Sequence, residues 1–297
     1  MLPSRAAIVA TAGEAIGRGS TSFSAASRLF NRKTRERAWL LYAWCRRCDD
    51  LADGQDHGHD AHAVTDPEAR LAVIRGRTEA ALAGQWIGDA AFDSLRIVVA
   101  EAGIPHALVW DVVEGFAMDA AGWRPASEAD LYRYCYHVAG AVGCMMAVVM
   151  GVSPDRDEVL DRASDLGIAF QLGNIARDLG EDDAAGRCYL PPEWLSEPRP
   201  EIAARLAARA DAHAASGRAG TPALGFRSAW AVLAAAGIYG DIVRKVAERG
   251  DAAWDKRVTT SLFEKIGWIV RAFGQAQARK RLFPAAKRDE LWTRPRH

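Results

Sequence analysis

The chain has 297 residues, 49% of them hydrophobic, enough for one large core or two modest ones. Lys plus Arg (38) balances Asp plus Glu (38), so the net charge is zero, and the strongly basic domain of a nucleic-acid binder is absent. Five cysteines at irregular spacing (Cys45, Cys48, Cys135, Cys144, Cys188) argue against a secreted disulfide framework and for a reduced, cytoplasmic protein.

Taken in chain order, the segments read as helices. MLPSRAAIVATAGEAIGRGS carries an early Arg and a short apolar patch broken by Glu14, without the apolar core of a signal peptide. Residues 34–53 run without a breaker, and 67–84 open on a helix-initiating proline. Helical spacing continues over 128–150, 155–182, 222–250 and 258–273, and the breaks at 54–62, 151–155 and 184–200 are polar or rich in Gly and Pro. The most apolar run, Val138–Val152, falls short of the ~18 residues of a membrane span. With strand-type alternation nearly absent, the expectation is one all-α domain over 1–297, a bundle of about ten helices.

Two acidic clusters share one spacing. Tyr42, Arg46, Asp49 and Asp53 recur at helical intervals and fall on one face, with Asp50 turned ~100° from Asp49. In QLGNIARDLGEDDAAGR, Asn174, Asp178 and Asp182 follow one another by four, Gln171 lies three before Asn174, and Arg177 and Glu181 flank the stripe. Two carboxylates one turn apart, ~5–6 Å between Cβ atoms, repel by about 3 kcal/mol at an effective dielectric of ~20. On a wet surface screening absorbs this; in a cavity it calls for a counter-charge, and Mg²⁺ suits carboxylates that share it with substrate phosphates. Either cluster alone reads equally as a solvated acidic face. Two of them, each with an Arg on or beside a stripe that also carries Tyr, Asn or Gln, favour metal and phosphate chemistry.

GSTSFSAASRLF (19–30), LYAWCRRCDDLAD (41–53), YCYHVAGAVG (134–143), QLGNIARDLGEDDAAGRCYLP (171–191) and AAWDKRVTTSLFEKI (252–266) together resemble the squalene and phytoene synthase family of head-to-head prenyl synthases, above all its bacterial phytoene-forming members. The resemblance covers nearly the whole chain. It implies an isoprenoid-synthase helical bundle with a central apolar cavity, whose two aspartate motifs face each other across the mouth. It implies that Asp49, Asp53, Asp178 and Asp182, with Asn174, hold Mg²⁺ (Mn²⁺ as a substitute) bridged to prenyl diphosphates. It implies that Ser20, Ser22, Arg46, Tyr134, Asn174, Arg177 and Arg257, with Gln171 beside them, contact the diphosphates or their metal shell, and that Tyr42 and Tyr239 sit near the reacting carbons or the leaving group.

The implied reaction joins two geranylgeranyl diphosphates through a cyclopropyl diphosphate to 15-cis-phytoene, with no NADPH; the alternative is a C30 enzyme using farnesyl diphosphate. A scaffold member without catalysis would lack the aspartates. Gly140, Ala141, Gly143 and Ala147 read either as helix–helix packing or, under the resemblance, as a wall where a prenyl tail approaches the backbone.

Thr21 stands where many relatives have Lys, Asp50 where many have Glu, and Ala176 where squalene-type relatives often have Leu. Cys45 and Cys48 lack the second ligand pair of a zinc site and the strand-to-helix setting of a redox site, and read as packing residues. His57, His59 and His62 read as a solvated loop. Arg279, Lys280, Arg281, Lys287 and Arg288 read as a solvated basic tail, with attraction to an anionic membrane surface as the alternative.

Overall fold

The computed structural model describes residues 2–19, 26–53, 66–285, 287–288 and 290–297, and Asp53 by its backbone alone. The described residues form eleven α-helices and no strand. The chain divides into two compact units, Met1–Ala121 with Val148–Pro154, and Gly122–Ala147 with Asp155–His297.

The first unit holds α1 (Arg5–Gly19), α2 (Arg32–Asp53), α3 (Pro67–Leu82), α4 (Ala90–Ala102) and α5 (His106–Ala120). Helix α2 is central to it and packs on α1, α3, α4 and α5. It buries Leu40, Leu41, Trp44 and Cys48, against a core that includes Ile16, Ile74, Phe92 and Leu95. Local chemistry sets the helix ends. Asp66 accepts a hydrogen bond from the Ala69 amide ahead of Pro67, Asp89 caps α4 through the Ala91 amide, and Gly103 closes α4 at φ 70°, a left-handed conformation that suits glycine. Arg5 binds both Glu36 and Glu101, and Arg37 also reaches Glu101, tying α1, α2 and α4 together. Hydrogen bonds hold both glutamates below the usual carboxylate range, from Arg32 and then Arg5 at Glu36 and from Arg5 and then Arg37 at Glu101.

The second unit contains α6 (Glu128–Cys135), a π-helical turn (Tyr136–Gly140), most of α7 (Ala141–Val149), α8 (Asp157–Ala184), α9 (Arg199–Gly220), α10 (Phe226–Arg249) and α11 (Leu262–Leu282). Helix α8 is its axis: it packs on α6, the π turn, α9 and α10, and buries Ile168, Leu172, Ile175 and Ala176. The stretch expected as one helix over 128–150 is therefore interrupted. A Cβ on Gly143 would run into the Ala163 carbonyl, and one on Gly167 would meet Ala139 and, at 2.8 Å, the Gly140 Cα. The backbones of α7 and α8 thus cross at close range, and the extra residue of the π turn lets the chain bend into that crossing.

Helices α1, α4, α5 and α9 fall outside the segments picked out by periodicity. The break expected at 184–200 holds a short 3₁₀ turn, Pro192–Trp194, whose Trp194 is buried beneath the Arg205 guanidinium at 4.9 Å.

The C-terminal segment corrects the reading of a solvated basic tail. Arg279 donates to the Ala276 and Leu224 carbonyls. Arg288 binds Asp165 through two bonds of 2.7 and 2.9 Å. Arg294, 5% exposed, donates to Asp161 at 3.0 Å and to Asp157, and Arg296 reaches Asp161 at 2.5 and 2.8 Å. His213 and Ser216 of α9 complete the shell of Asp165 at 3.1 and 2.5 Å. Trp292 packs on Tyr136 with ring centroids 5.4 Å apart. The tail is thus an arm clasped onto the first half of α8, because an acidic stripe buried against the protein needs paired charges. Lys280, Arg281 and Lys287 remain exposed.

Candidate active site

Each unit carries one of the two acidic clusters singled out by sequence. In the first, the long uninterrupted α2 brings Tyr42, Arg46, Asp49 and Asp50 to successive turns. Arg46 donates to Asp50 from Nε at 2.9 Å and Nη2 at 2.7 Å, and stands 3.8 Å from Asp49. Asp50, expected off the working face, is thus the anchor of Arg46; the i, i+4 spacing of the two was the signal for it. Burial works against the Arg46 charge, but the Asp50 hydrogen bond and the fields of Asp49 and Asp50 outweigh it and raise its pKa. Asp49 keeps 44% of its side chain exposed. Burial, with Asp49 and Asp50 adding to it, pushes the Tyr42 phenol up to about 12 against the opposing Arg46. The phenol therefore stays protonated, a hydrogen-bond donor at neutral pH.

Gly19 makes room for this arrangement. A side chain there would collide with the Tyr42 hydroxyl and come within 3.5 Å of Arg46 Cδ. Asp53 ends α2. Ser20, Ser22, Thr21, His57, His59 and His62 lie outside the described residues. Cys48 is buried and Cys45 half-buried, and desolvation raises both thiols, as packing residues require.

In the second unit the last turns of α8 gather the other cluster. Arg177 grips the neighbouring Asp178 with a fork of 2.7 and 2.5 Å. Arg257 bridges Asp178 at 3.1 Å and Glu181 at 2.6 Å. Arg187 reaches Asp182 at 3.1 Å. Trp254 pins the segment carrying Arg257 to α8: its indole N–H donates to the Ala176 carbonyl at 3.2 Å, and its side chain lies against the bare face of Gly180. Burial raises the Asp182 pKa in spite of Arg187, and Asp178 and Glu181 push the same way. Asn174 donates to Gln171 at 3.4 Å, so the amides of the stripe meet as its spacing required.

Two tyrosines singled out by sequence, Tyr134 and Tyr239, each stand in an aromatic group of this unit. Tyr134, 3% exposed, is stacked between Trp123 at 5.7 Å and Tyr189 at 4.8 Å. Tyr239 of α10 stacks on Phe170 of α8 at 4.3 Å, over a recess lined by Ala169, Ala214 and Ala236. Gly143 is placed at the α7–α8 crossing, where the space left by its missing side chain is taken by the Ala163 carbonyl, so it serves helix packing there.

A family model described as squalene/phytoene synthase matches residues 16–264. The chain belongs to the squalene/phytoene synthase family. Its relatives include a phytoene synthase of Pseudescherichia vulneris, 43% identical over 96% of this chain and 97% of that protein. A 15-cis-phytoene synthase of Paracoccus sp. is 44% identical over 98% and 99%. The fold matches a solved dehydrosqualene synthase with a TM-score of 0.82 at 24% identity, over 92% of this chain and 98% of that one. It also matches a squalene synthase of Alicyclobacillus acidocaldarius, with a TM-score of 0.72 at 22% identity over 82% and 94%. The all-α isoprenoid-synthase fold is thereby established, and this family member is an enzyme of the prenyltransferase class.

Proposed function

We propose that the chain is a 15-cis-phytoene synthase, condensing two geranylgeranyl diphosphates head to head. The observation that carries this reading is the likeness, at 43–44% identity over nearly full length, to relatives bearing that name. Both aspartate clusters are filled, as a catalytic member requires.

The donor set suits Mg²⁺. Each cluster offers hard carboxylate oxygens, and Asp182 keeps a pKa raised by burial, with Asp178 and Glu181 adding to it, against its Arg187 partner. Asp49, Asp53, Asp178 and Asp182, with Asn174, would hold the ions; when bound, Mg²⁺ would neutralise charge developing on the diphosphate oxygens. Among the described residues no three carboxylate, imidazole or thiol groups converge on one point.

In this reading Arg46 in the first unit, and Arg177 and Arg257 in the second, bind diphosphate oxygens and stabilise departing anions as C–O bonds break. Each is held by carboxylates in the structure, so it is oriented before substrate arrives. The protonated Tyr42 phenol, one turn from Arg46, donates a hydrogen bond to a departing diphosphate. The double bond of the second substrate attacks the allylic cation, and a proton is lost as the cyclopropane closes. The second diphosphate then departs, the cation rearranges, and loss of a further proton gives phytoene. Two substrates yield one hydrocarbon, two diphosphates and two protons, with no reductant consumed.

The test is incubation of the purified protein with geranylgeranyl or farnesyl diphosphate and Mg²⁺, with and without NADPH, followed by product identification. Phytoene from the C20 substrate, independent of NADPH, is expected. A C30 product from farnesyl diphosphate alone, with no C40 product, would overturn the reading.

A further inference from the structure

Helix α11 is apolar on two sides. One side faces inward: Ala272 and Ala276 are buried, Trp268 covers the bare face of Gly237, and the Trp230 indole donates to the Ile269 carbonyl at 2.8 Å. The helix is held at its start by a capping box between Ser261 and Glu264 and by the Lys245–Glu264 pair at 2.5 Å. The other side carries Leu262 (70% exposed), Phe263 (85%), Ile266 (48%), Val270 (67%) and Phe273 (39%). Positions 263, 266 and 270 recur at helical intervals and form an outward stripe, which is bordered by Phe273, whose ring packs edge-on against Phe226 and Trp230 of α10. Scattered exposed apolar residues need no explanation, but an ordered stripe of this size on a well-anchored helix does.

The charge on the same face indicates what covers it. Lys280 follows Phe273 by seven residues and Arg281 follows Val270 by eleven, spacings that return both to the apolar arc. Both are exposed, as is Lys287 just beyond the helix. An apolar stripe running into a cationic end matches an interface of acyl chains beneath anionic headgroups.

We propose that the outer face of α11 is a docking surface for an anionic lipid bilayer, with Phe263, Ile266 and Val270 entering the headgroup–acyl boundary and Lys280, Arg281 and Lys287 meeting the headgroups. The inference deepens the proposed function, since a hydrocarbon product insoluble in water must pass to a lipid phase, but its geometry stands apart from the catalytic clusters.

Co-sedimentation of the full chain with large unilamellar vesicles, without substrate, tests it. Binding is expected to phosphatidylglycerol–phosphatidylcholine vesicles and to weaken about tenfold with pure phosphatidylcholine or in ~0.5 M salt. Phe263→Ser with Val270→Ser, and separately Lys280→Glu with Arg281→Glu, should each lower partitioning about tenfold or more. Both should keep wild-type helicity and wild-type turnover of detergent-dispersed substrate. The proposal is overturned if wild type ignores anionic vesicles or if both double variants bind them undiminished. It is equally overturned if light scattering shows a wild-type dimer that the Phe263/Val270 variant dissolves, which would make the face a seat for a second copy. Failure of the geranylgeranyl diphosphate assay would leave the vesicle result untouched, so the two readings fail separately.

Discussion

Helix α8 carries two acidic stripes of the same spacing, and they have opposite fates. Asp157, Asp161 and Asp165 occupy its first half; Asn174, Asp178 and Asp182 occupy its second. The first stripe is closed off at Asp161 and Asp165, while Asp157 at the start of the helix stays 59% exposed. Asp165 is fully buried and meets Arg288, His213 and Ser216, while Asp161 meets Arg288, Arg294 and Arg296. The second stripe stays partly exposed, with Asp178 at 18% and Asp182 at 15%. Of its arginine partners, Arg187 and Arg257 are themselves about half exposed. Spacing alone therefore marks a polar face without saying what it is for. Burial beneath paired arginines makes Asp161 and Asp165 structural, whereas the second stripe is paired with arginines of which two stay half exposed, so solvent still reaches it.

Substitutions should separate the two stripes cleanly. The largest expected effect is on chemistry: Asp178→Ala or Asp49→Ala should cut kcat by about 10²–10³-fold or more while the far-ultraviolet circular dichroism stays wild-type. Near-wild-type turnover would remove these residues from the metal site. Arg288→Ala should do the reverse. It strands a buried carboxylate and should cost about 3–5 kcal/mol in denaturant unfolding, with kcat per folded molecule little changed. A loss of kcat at unchanged stability would collapse the distinction.

Acid should expose the structural stripe. Asp165 resists desolvation through hydrogen bonds from His213, Arg288 and Ser216, which set its pKa below that of an unfolded aspartate. The depressed value means the stabilisation is complete above the unfolded pKa of ~3.9 and is lost as pH falls through the folded value. Thermal melts of wild type should therefore drop more steeply below about pH 4 than those of Asp165→Asn. Parallel curves would refute the linkage. The smallest effect is expected for Asp50→Asn, which keeps one acceptor for Arg46 and should lower kcat/KM by about tenfold through loss of the charged clamp. An unchanged kcat/KM would show that Arg46 needs no such anchor.

Much of this was legible from residues. Helical spacing located α2, α3, α8, α10 and α11, and the pairing of Asn174 with Gln171 followed from intervals of three and four. The family was carried by motifs that the comparisons bear out. Helices α1, α4, α5 and α9 lie outside the segments that spacing picked out. Asp50 escaped because burial, which spacing does not reveal, sets its role: at 6% exposed it serves as a buried partner for Arg46. The basic tail escaped because its acceptors lie more than a hundred residues earlier in the chain.

The sequence by itself determined the helical class, the family and the identity of the carboxylates, because helical period and residue chemistry are local properties. Only the tertiary structure decided which acidic stripe is sealed, that the C-terminal arginines form a clasp, and that Gly143 spends its missing side chain on a helix crossing. Burial, counter-charge and close backbone approach depend on residues far apart in the chain, and folding alone brings those residues together.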